Sequence, residues 1–358
     1  MDSIKGLERI VQANIGLSKP RQTCLAAMVV GIVQARTVNL KRVCQSCSSD
    51  GLTSSWYRRM QRFFAEADFH FDKVAKYLLS LFTDPNEKVF LTMDRTNWQY
   101  GTKDINILMV GVVYKEIAIP IVWEILDRRG NSNTAERIKI INRIISYFGQ
   151  ERIAGILADR EFIGKEWFKY LENLKNPFVI RIKANTLVPN ARGEATQVSN
   201  LFRELRPGEF RKLDGKRHVW DTDLFLSALR LDDGELLILA SNQDQMCPLE
   251  LYKRRWEIET LFSCFKGRGF NFEDTRITKT KRINRMVTVL ALAFCWAHKC
   301  GEWKIENVAK IRIKKHGRPE KSIFRYGLDA IIEAIFSLPK NPISWLKLLN
   351  LLQPIRSQ

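Results

Sequence analysis

Hydrophobic and polar positions follow two rhythms along this chain, and the change of rhythm divides it. Over residues 1–85 the apolar positions recur at helical spacing, predicting helices at 21–33, 38–47 and 54–67, with a short turn at 34–37. From residue 88 the period shortens. An apolar run at 88–93 ends at Asp94, and 105–114 and 117–125 read as strands about a Tyr114-Lys115-Glu116 turn. Helical spacing returns at 134–148, with Asn133 or Thr134 as N-cap and Glu136 in the first turn. A strand at 153–158 ends at Asp159, followed by a helix at 164–174 and a strand at 178–182. Strand-like runs at 217–225, 226–231 and 235–240, with Asp232-Asp233-Gly234 as a hairpin signal, mark a β-rich insertion. Pro248 opens a helix that includes Lys266, and 283–300 forms another.

This order divides the chain into a helical region at 1–85, a core in two parts at 86–183 and 247–300, the insertion at 184–246, and a basic helical region at 301–358. Periodicity alone gives a mixed α/β chain. Two short helices joined by a few residues near the N-terminus fit a DNA-contacting helix-turn-helix and fit an ordinary helical bundle equally well.

Charge changes the picture. The 358 residues carry a formal net charge of +19, which points to a polyanionic partner, most often nucleic acid. The excess is uneven: residues 279–358 hold 16 Lys and Arg against 5 Asp and Glu. Seven scattered cysteines suit a reducing compartment better than a disulfide framework. The N-terminus does not open like a signal peptide, and the longest apolar run, 286–297, is too short to span a bilayer. A cytoplasmic protein without membrane attachment is expected.

The candidate chemistry lies in carboxylates. Asp94 and Asp159 each close an apolar strand, the edge where α/β sheets bind ligands. On a continuous helix at about 100° per residue, Tyr252, Arg255, Glu259 and Lys266 fall within an arc of roughly 60°. Leu251, Ile258, Leu261, Phe262 and Phe265 form the adjoining apolar arc. Taken singly, each acid reads as a strand-end cap or a surface ion pair. Three carboxylates in one pocket repel unless cations sit between them, and Mg²⁺ or Mn²⁺ takes oxygen ligands. Two such ions can activate the attacking oxygen and stabilise the leaving one in phosphoryl displacement.

Tyr252, Arg255, Glu259 and Lys266 match, in residue type and spacing, the YREK signature of insertion-sequence DDE transposases of family four, a bacterial group that this chain resembles. The contexts Leu91-Thr92-Met93-Asp94-Arg95-Thr96-Asn97-Trp98 and Ala158-Asp159-Arg160-Glu161-Phe162 also look like the family's. The resemblance covers most of the chain, from about residue 21 to 285. It implies a ribonuclease H-like core with a β-rich insertion, flanked by a helical N-terminal DNA-binding region and a helical C-terminal region.

By the same resemblance, Asp94, Asp159 and Glu259 would be the catalytic residues and bind two Mg²⁺ ions, with Mn²⁺ as substitute. Tyr252, Arg255 and Lys266 would hold phosphates near the cleaved end. The activity implied is cut-and-paste transposition: cleavage at insertion-sequence ends, either directly or by way of a hairpin, then strand transfer to target DNA. The partners implied are double-stranded DNA, as inverted terminal repeats and target, and a second copy of the chain in a paired-end complex. The expected setting is the nucleoid. Arg160 reads as a DNA contact or a surface ion pair. Trp256, Trp98, Trp123 and Trp220 read as base-stacking platforms or as core. A nuclease without strand transfer, and a DNA-binding protein without catalysis, are the competing functions.

Other signals are weaker. Cys44 and Cys47 form a lone CxxC with no second pair at zinc spacing, and Cys295, His298 and Cys300 read as core. No phosphate-loop motif is present, so no nucleotide cofactor is expected.

Overall fold

A computed structural model describes residues 2–47, 53–190, 192–244, 247–315 and 317–355. The N-terminal region holds α1 (Asp2–Ile15), α2 (Lys19–Ala35), α3 (Leu40–Cys47), α4 (Thr53–Glu66) and α5 (Phe71–Ser80). The core follows with β1 (Val89–Tyr100), β2 (Lys103–Tyr114), β3 (Ile117–Leu126), α6 (Thr134–Phe148), β4 (Ile153–Ala158), α7 (Lys165–Leu174) and β5 (Phe178–Ile182). Asn133 and Glu136 close a reciprocal capping box at the start of α6. Lys115 and Glu116 both take positive φ, as a tight turn between twisted strands requires.

The insertion contributes β6 (Leu187–Pro189), β7 (Ala195–Gln197), β8 (Phe210–Lys212), β9 (Arg217–Val219), β10 (Thr222–Arg230) and β11 (Leu236–Ser241). Next come α8 (Pro248–Arg254), α9 (Glu257–Phe265), α10 (Thr280–Asn307), α11 (Ile323–Ser337) and α12 (Pro342–Asn350).

The main sheet runs β3-β2-β1-β4-β5-β11-β10-β8. The first three strands form an antiparallel meander, and β4 and β5 lie parallel to β1. This is a ribonuclease H-like core. The insertion is β-rich and extends the sheet, because β11 pairs antiparallel with β5. Its last predicted residue, Met246, lies outside the described residues.

Three local expectations are corrected. The strand that carries Asp94 does not stop there; β1 continues to Tyr100, because β2 pairs with it through Tyr100↔Lys103. The boundary between the runs read at 217–225 and 226–231 falls earlier, at Trp220 and Asp221, which both have positive φ, leaving β10 as one strand. The helix from Pro248 is not continuous. Arg255, Trp256, Ile258 and Glu259 donate their N–H groups three residues back, at 2.9–3.3 Å, tightening the path into a 3₁₀ turn between α8 and α9.

The helices from both chain ends share one core around α10, which packs against α2, α4, α5, α9 and α11. α2 is buried almost all round, as a helix without a polar face must be. Tyr77 Oη donates to Leu352 O at 2.8 Å, and Arg36 pairs with Asp329 at 2.5 Å. Cys44 and Cys47 are buried in this core; the Cys47 thiol lies 2.9 Å from Ala27 O. Among the described residues no single helix is long and apolar enough to cross a membrane.

His298 sits in α10 at 0% exposure, ringed by Phe82, Tyr114 and Phe294, with neither ring nitrogen hydrogen-bonded. Burial, with Lys299 and Lys115 nearby, pushes its pKa down to about 3. Glu302, 4.0 Å from its Nε2, is already engaged by Lys115 at 3.2 Å. The ring is therefore held neutral in the fold, whereas an unfolded histidine gains a proton below about pH 6.5. Stability is fully present above that pH and declines as pH falls toward the folded value. The expected loss by pH 5 is about 2 kcal/mol from this residue alone. Urea unfolding of wild type and His298→Phe side by side between pH 7 and 5 checks it: over that interval the variant should lose about 2 kcal/mol less stability than wild type, and equal changes in the two would assign the loss elsewhere.

Candidate active site

Two parallel strands and one broken helix build the site. The β1/β4 ladder ends at Met93↔Ala158, so Asp94 and Asp159 are the next residues on neighbouring strands. Each carboxylate accepts the N–H of the residue that follows it, Arg95 or Arg160, at 2.7 Å. α9 packs on β1, β2 and β3, while α8 packs on β4, β5 and β11. The turn between these helices therefore lies over the strand pair, and Thr92 Oγ1 donates to Arg255 O at 3.3 Å.

Arg255 is the hub. Its side chain is 5% exposed, and its guanidinium reaches Asp94 Oδ2 at 3.3 Å and Glu259 Oε1 at 2.7 Å. Burial opposes its charge, but Tyr252, Glu259, Asp159 and Asp94 together outweigh burial and raise its pKa. Tyr252 Oη donates to Asp159 Oδ1 at 3.0 Å, and burial is the main force holding that phenol protonated. Burial pushes Asp94 up to about 7, opposed by the Arg95 N–H and Arg255 and reinforced by Glu161 and Glu259. This is the expected behaviour of an acid among acids in a half-closed site.

Lys266 leaves the helix as its C-cap, so it does not extend the α9 face. Its ammonium pairs with Glu273 at 2.7 Å, approaches Asn97 O at 3.5 Å and lies 5.8 Å from the Trp98 ring centroid. It nonetheless lines one open pocket of about 500 Å³ with Asp94, Glu259, Ser263 and Arg268. Asp159 and Tyr252 are not among the residues that line that pocket; Asp159 follows Ala158, the ladder partner of Met93. Trp256 is 62% exposed, and the Arg255 guanidinium lies 5.4 Å from its ring centroid. Arg160 pairs with Glu235 at 3.1 Å. Trp123 is core, its indole N–H donating to Asn284. Trp220 packs on Phe168.

The donor set is all carboxylate oxygen, the chemistry Mg²⁺ or Mn²⁺ takes. Among the described residues, no three His, Cys, Asp or Glu side chains converge enough to hold an ion unaided. Arg255 instead supplies positive charge between Asp94 and Glu259. The residues therefore fit a hard divalent cation in kind, with a guanidinium bridging two of the acids.

Sequence reasoning missed Arg95, Glu161 and Glu257. Arg95 and Glu161 form a two-point ion pair at 2.8 and 3.0 Å. Glu257 accepts the Tyr114 N–H at 2.7 Å and so fastens the 3₁₀ turn to the β2–β3 hairpin. Burial, only partly offset by that bond, pushes its acid up to about 7. Both Arg95 and Glu161 stand beside the candidate aspartates in the sequence, but nothing there pairs them.

Strand-end acids beside a guanidinium on a ribonuclease H-like sheet make up the candidate centre. The family model for the transposase DDE domain matches residues 85–296, more than half of the chain, and the chain belongs to that family. No curated protein matches it. Among solved structures, a piggyBac transposase synaptic complex with hairpin DNA, determined by cryo-EM, is similar at 12% identity and a TM-score of 0.48. That likeness covers 95% of this chain and 77% of the other.

Proposed function

We propose that this DDE transposase cleaves the ends of its element with Asp94, Asp159 and Glu259 as the catalytic, metal-binding acids, and joins the freed ends to target DNA. The observation that carries the reading is the register. Met93↔Ala158 closes the parallel ladder and brings Asp94 and Asp159 next to each other, with Glu259 tied to Asp94 through Arg255. Two Mg²⁺ ions held by these carboxylates would activate the attacking oxygen and neutralise the leaving one. Arg255 offers a planar fork to phosphate and Lys266 a point charge. Tyr252 orients Asp159 through its hydroxyl. Trp256 is exposed beside the site and suits a stacked base, as a hairpin route would need.

The 1–85 region is proposed to bind duplex DNA. α2 and α3 meet at a 102° bend, within the range of helix-turn-helix pairs. A groove of about 450 Å³ beside α3 and α4 is lined by Lys41, Arg276, Lys279 and Arg282, none of them ion-paired with another described residue. A paired-end dimer acting on inverted repeats and target DNA, in the cytoplasm at the nucleoid, completes the proposal. Residues 301–358 would serve as a basic adjunct.

Purified protein incubated with end-containing duplex and Mg²⁺ tests the reading: nicked and joined products are expected. Nicks without joining indicate a nuclease. Binding without cleavage in Mg²⁺ or Mn²⁺ indicates a DNA-binding protein. Lys266→Ala should weaken end binding and flatten the slope of log K against log salt by roughly 0.9, one phosphate contact's worth. An unchanged slope removes Lys266 from the contact set.

A further inference from the structure

We propose that Arg95 and Glu161 form a clamp that sets the spacing of Asp94 and Asp159; both are positioning residues, and the inference rests on the metal-binding role just proposed for those aspartates. The β1/β4 main-chain ladder stops at Met93↔Ala158. Just where the acids begin, no backbone pairing fixes one strand against the other. β1 continues along β2, while the chain after Asp159 turns, with Phe162 N–H donating to Asp159 O at 2.9 Å. The two acids thus sit where the strands part.

The Arg95–Glu161 pair spans that gap. Arg95 Nε and Nη2 donate to the two oxygens of Glu161 at 2.8 and 3.0 Å, a planar fork on a carboxylate. Nη1 also donates to Asn106 Oδ1 at 2.9 Å, and Nη2 to Asn131 Oδ1 at 3.0 Å. Asn106, buried on β2, donates to Arg128 O and Gly130 O, both at 3.0 Å. The other end is anchored too. Arg137, from α6, donates to Glu161 O at 2.9 Å and Ile163 O at 3.1 Å.

An exposed ion pair would contribute little. This one is two-pronged, its side chains are 11% and 20% exposed, and both partners are held from a second direction. Strand alternation turns Arg95 to the face opposite Asp94, so the clamp acts through the backbone. Because the Arg95 and Arg160 N–H groups bond the two aspartates, displacement of either segment carries its carboxylate with it. Hard cations are sensitive to such displacement, since their ligand distances and angles are narrow.

The test uses the full chain, with and without end duplex, and Mn²⁺ as the probe, its free concentration read by electron paramagnetic resonance. Asp94→Asn marks which binding belongs to the site. Arg95→Lys keeps the charge and loses the fork, and Glu161→Gln keeps the shape and loses the charge. Each is expected to weaken Mn²⁺ binding on the order of 10-fold. The double variant should be no weaker than the worse single one, since both remove one interaction. Cleavage should recover at higher metal, and the salt slope of DNA binding should not move. Mn²⁺ affinities within twofold of wild type in both single variants overturn the clamp, even if their melting temperatures fall. If wild type binds Mn²⁺ through Asp94 but cleaves no DNA, the transposition reading fails while the clamp stands. If wild type cleaves and the variants bind Mn²⁺ normally, the clamp alone fails.

Discussion

Glu259→Ala is expected to lower end cleavage on the order of 10³-fold or more while leaving DNA binding within about twofold. The size follows from what a metal ligand supplies. Charge stabilisation by a bound cation is worth several kcal/mol in phosphoryl displacement, and about 4 kcal/mol is roughly 10³ in rate. DNA binding rests on the cations, which the change leaves in place. The fold should survive, because the Glu259 side chain is 34% exposed and its partner Arg255 keeps Asp94. Glu259→Gln, which keeps volume and an acceptor for Arg255, separates the loss of a ligand from the loss of the ion pair. Both variants should fail to cleave. If the alanine variant cleaves at the wild-type rate, Glu259 is not one of the acids. If only the glutamine variant retains activity, the residue serves Arg255 and not a metal. Strand nicking of labelled end duplex in Mg²⁺ and in Mn²⁺ reads all of these outcomes.

Much of the candidate site's framework was legible in the sequence because its parts are local. Asp94 and Asp159 announce themselves as acids closing apolar runs, and α6, β4 and β5 fall within the predicted limits. Glu259 and its cationic neighbours stand at fixed spacings that a signature can match. What the sequence could not show depends on geometry across segments. The 3₁₀ turn at Arg255 and Trp256 has no breaker residue to betray it. It is set by where Glu257 finds the Tyr114 N–H and where Thr92 meets the Arg255 carbonyl. Likewise β1 reads as ending at Asp94 because its polar second half lacks an apolar rhythm, yet β2 pairs it onward to Tyr100. The helices at the two ends of the chain read as separate regions, because a shared core such as α2 against α11 leaves no mark in either segment alone.

Gly327→Ala is the change expected to cost the fold most for a single added carbon. Gly327 lies in α11, and a Cβ there would stand 1.8 Å from Ala297 O and 2.3 Å from Gly301 N, both backbone atoms of α10. Gly301 mirrors it: a Cβ would stand 2.0 Å from Ile323 O. The two helices thus touch through their backbones, and neither side can yield by rotating a side chain. Helix propensity alone would favour alanine by about 1 kcal/mol. Overpacking typically costs 1–3 kcal/mol and more where the obstacle is backbone, so the clash should win by about 2 kcal/mol or more. A fall in melting temperature of at least roughly 2–3 °C is expected for a chain of this length. A midpoint equal to or above wild type would mean that α10 and α11 do not approach this closely. The displacement should also spread: Phe324 on α11 stacks on Phe294 and meets Phe270, in the segment that leads from α9 to the basic groove. Below its melting range the variant should still cleave DNA, because α11 supplies none of the three acids. It should bind end duplex less tightly, because the groove wall that carries Arg276 and Lys279 follows Phe270.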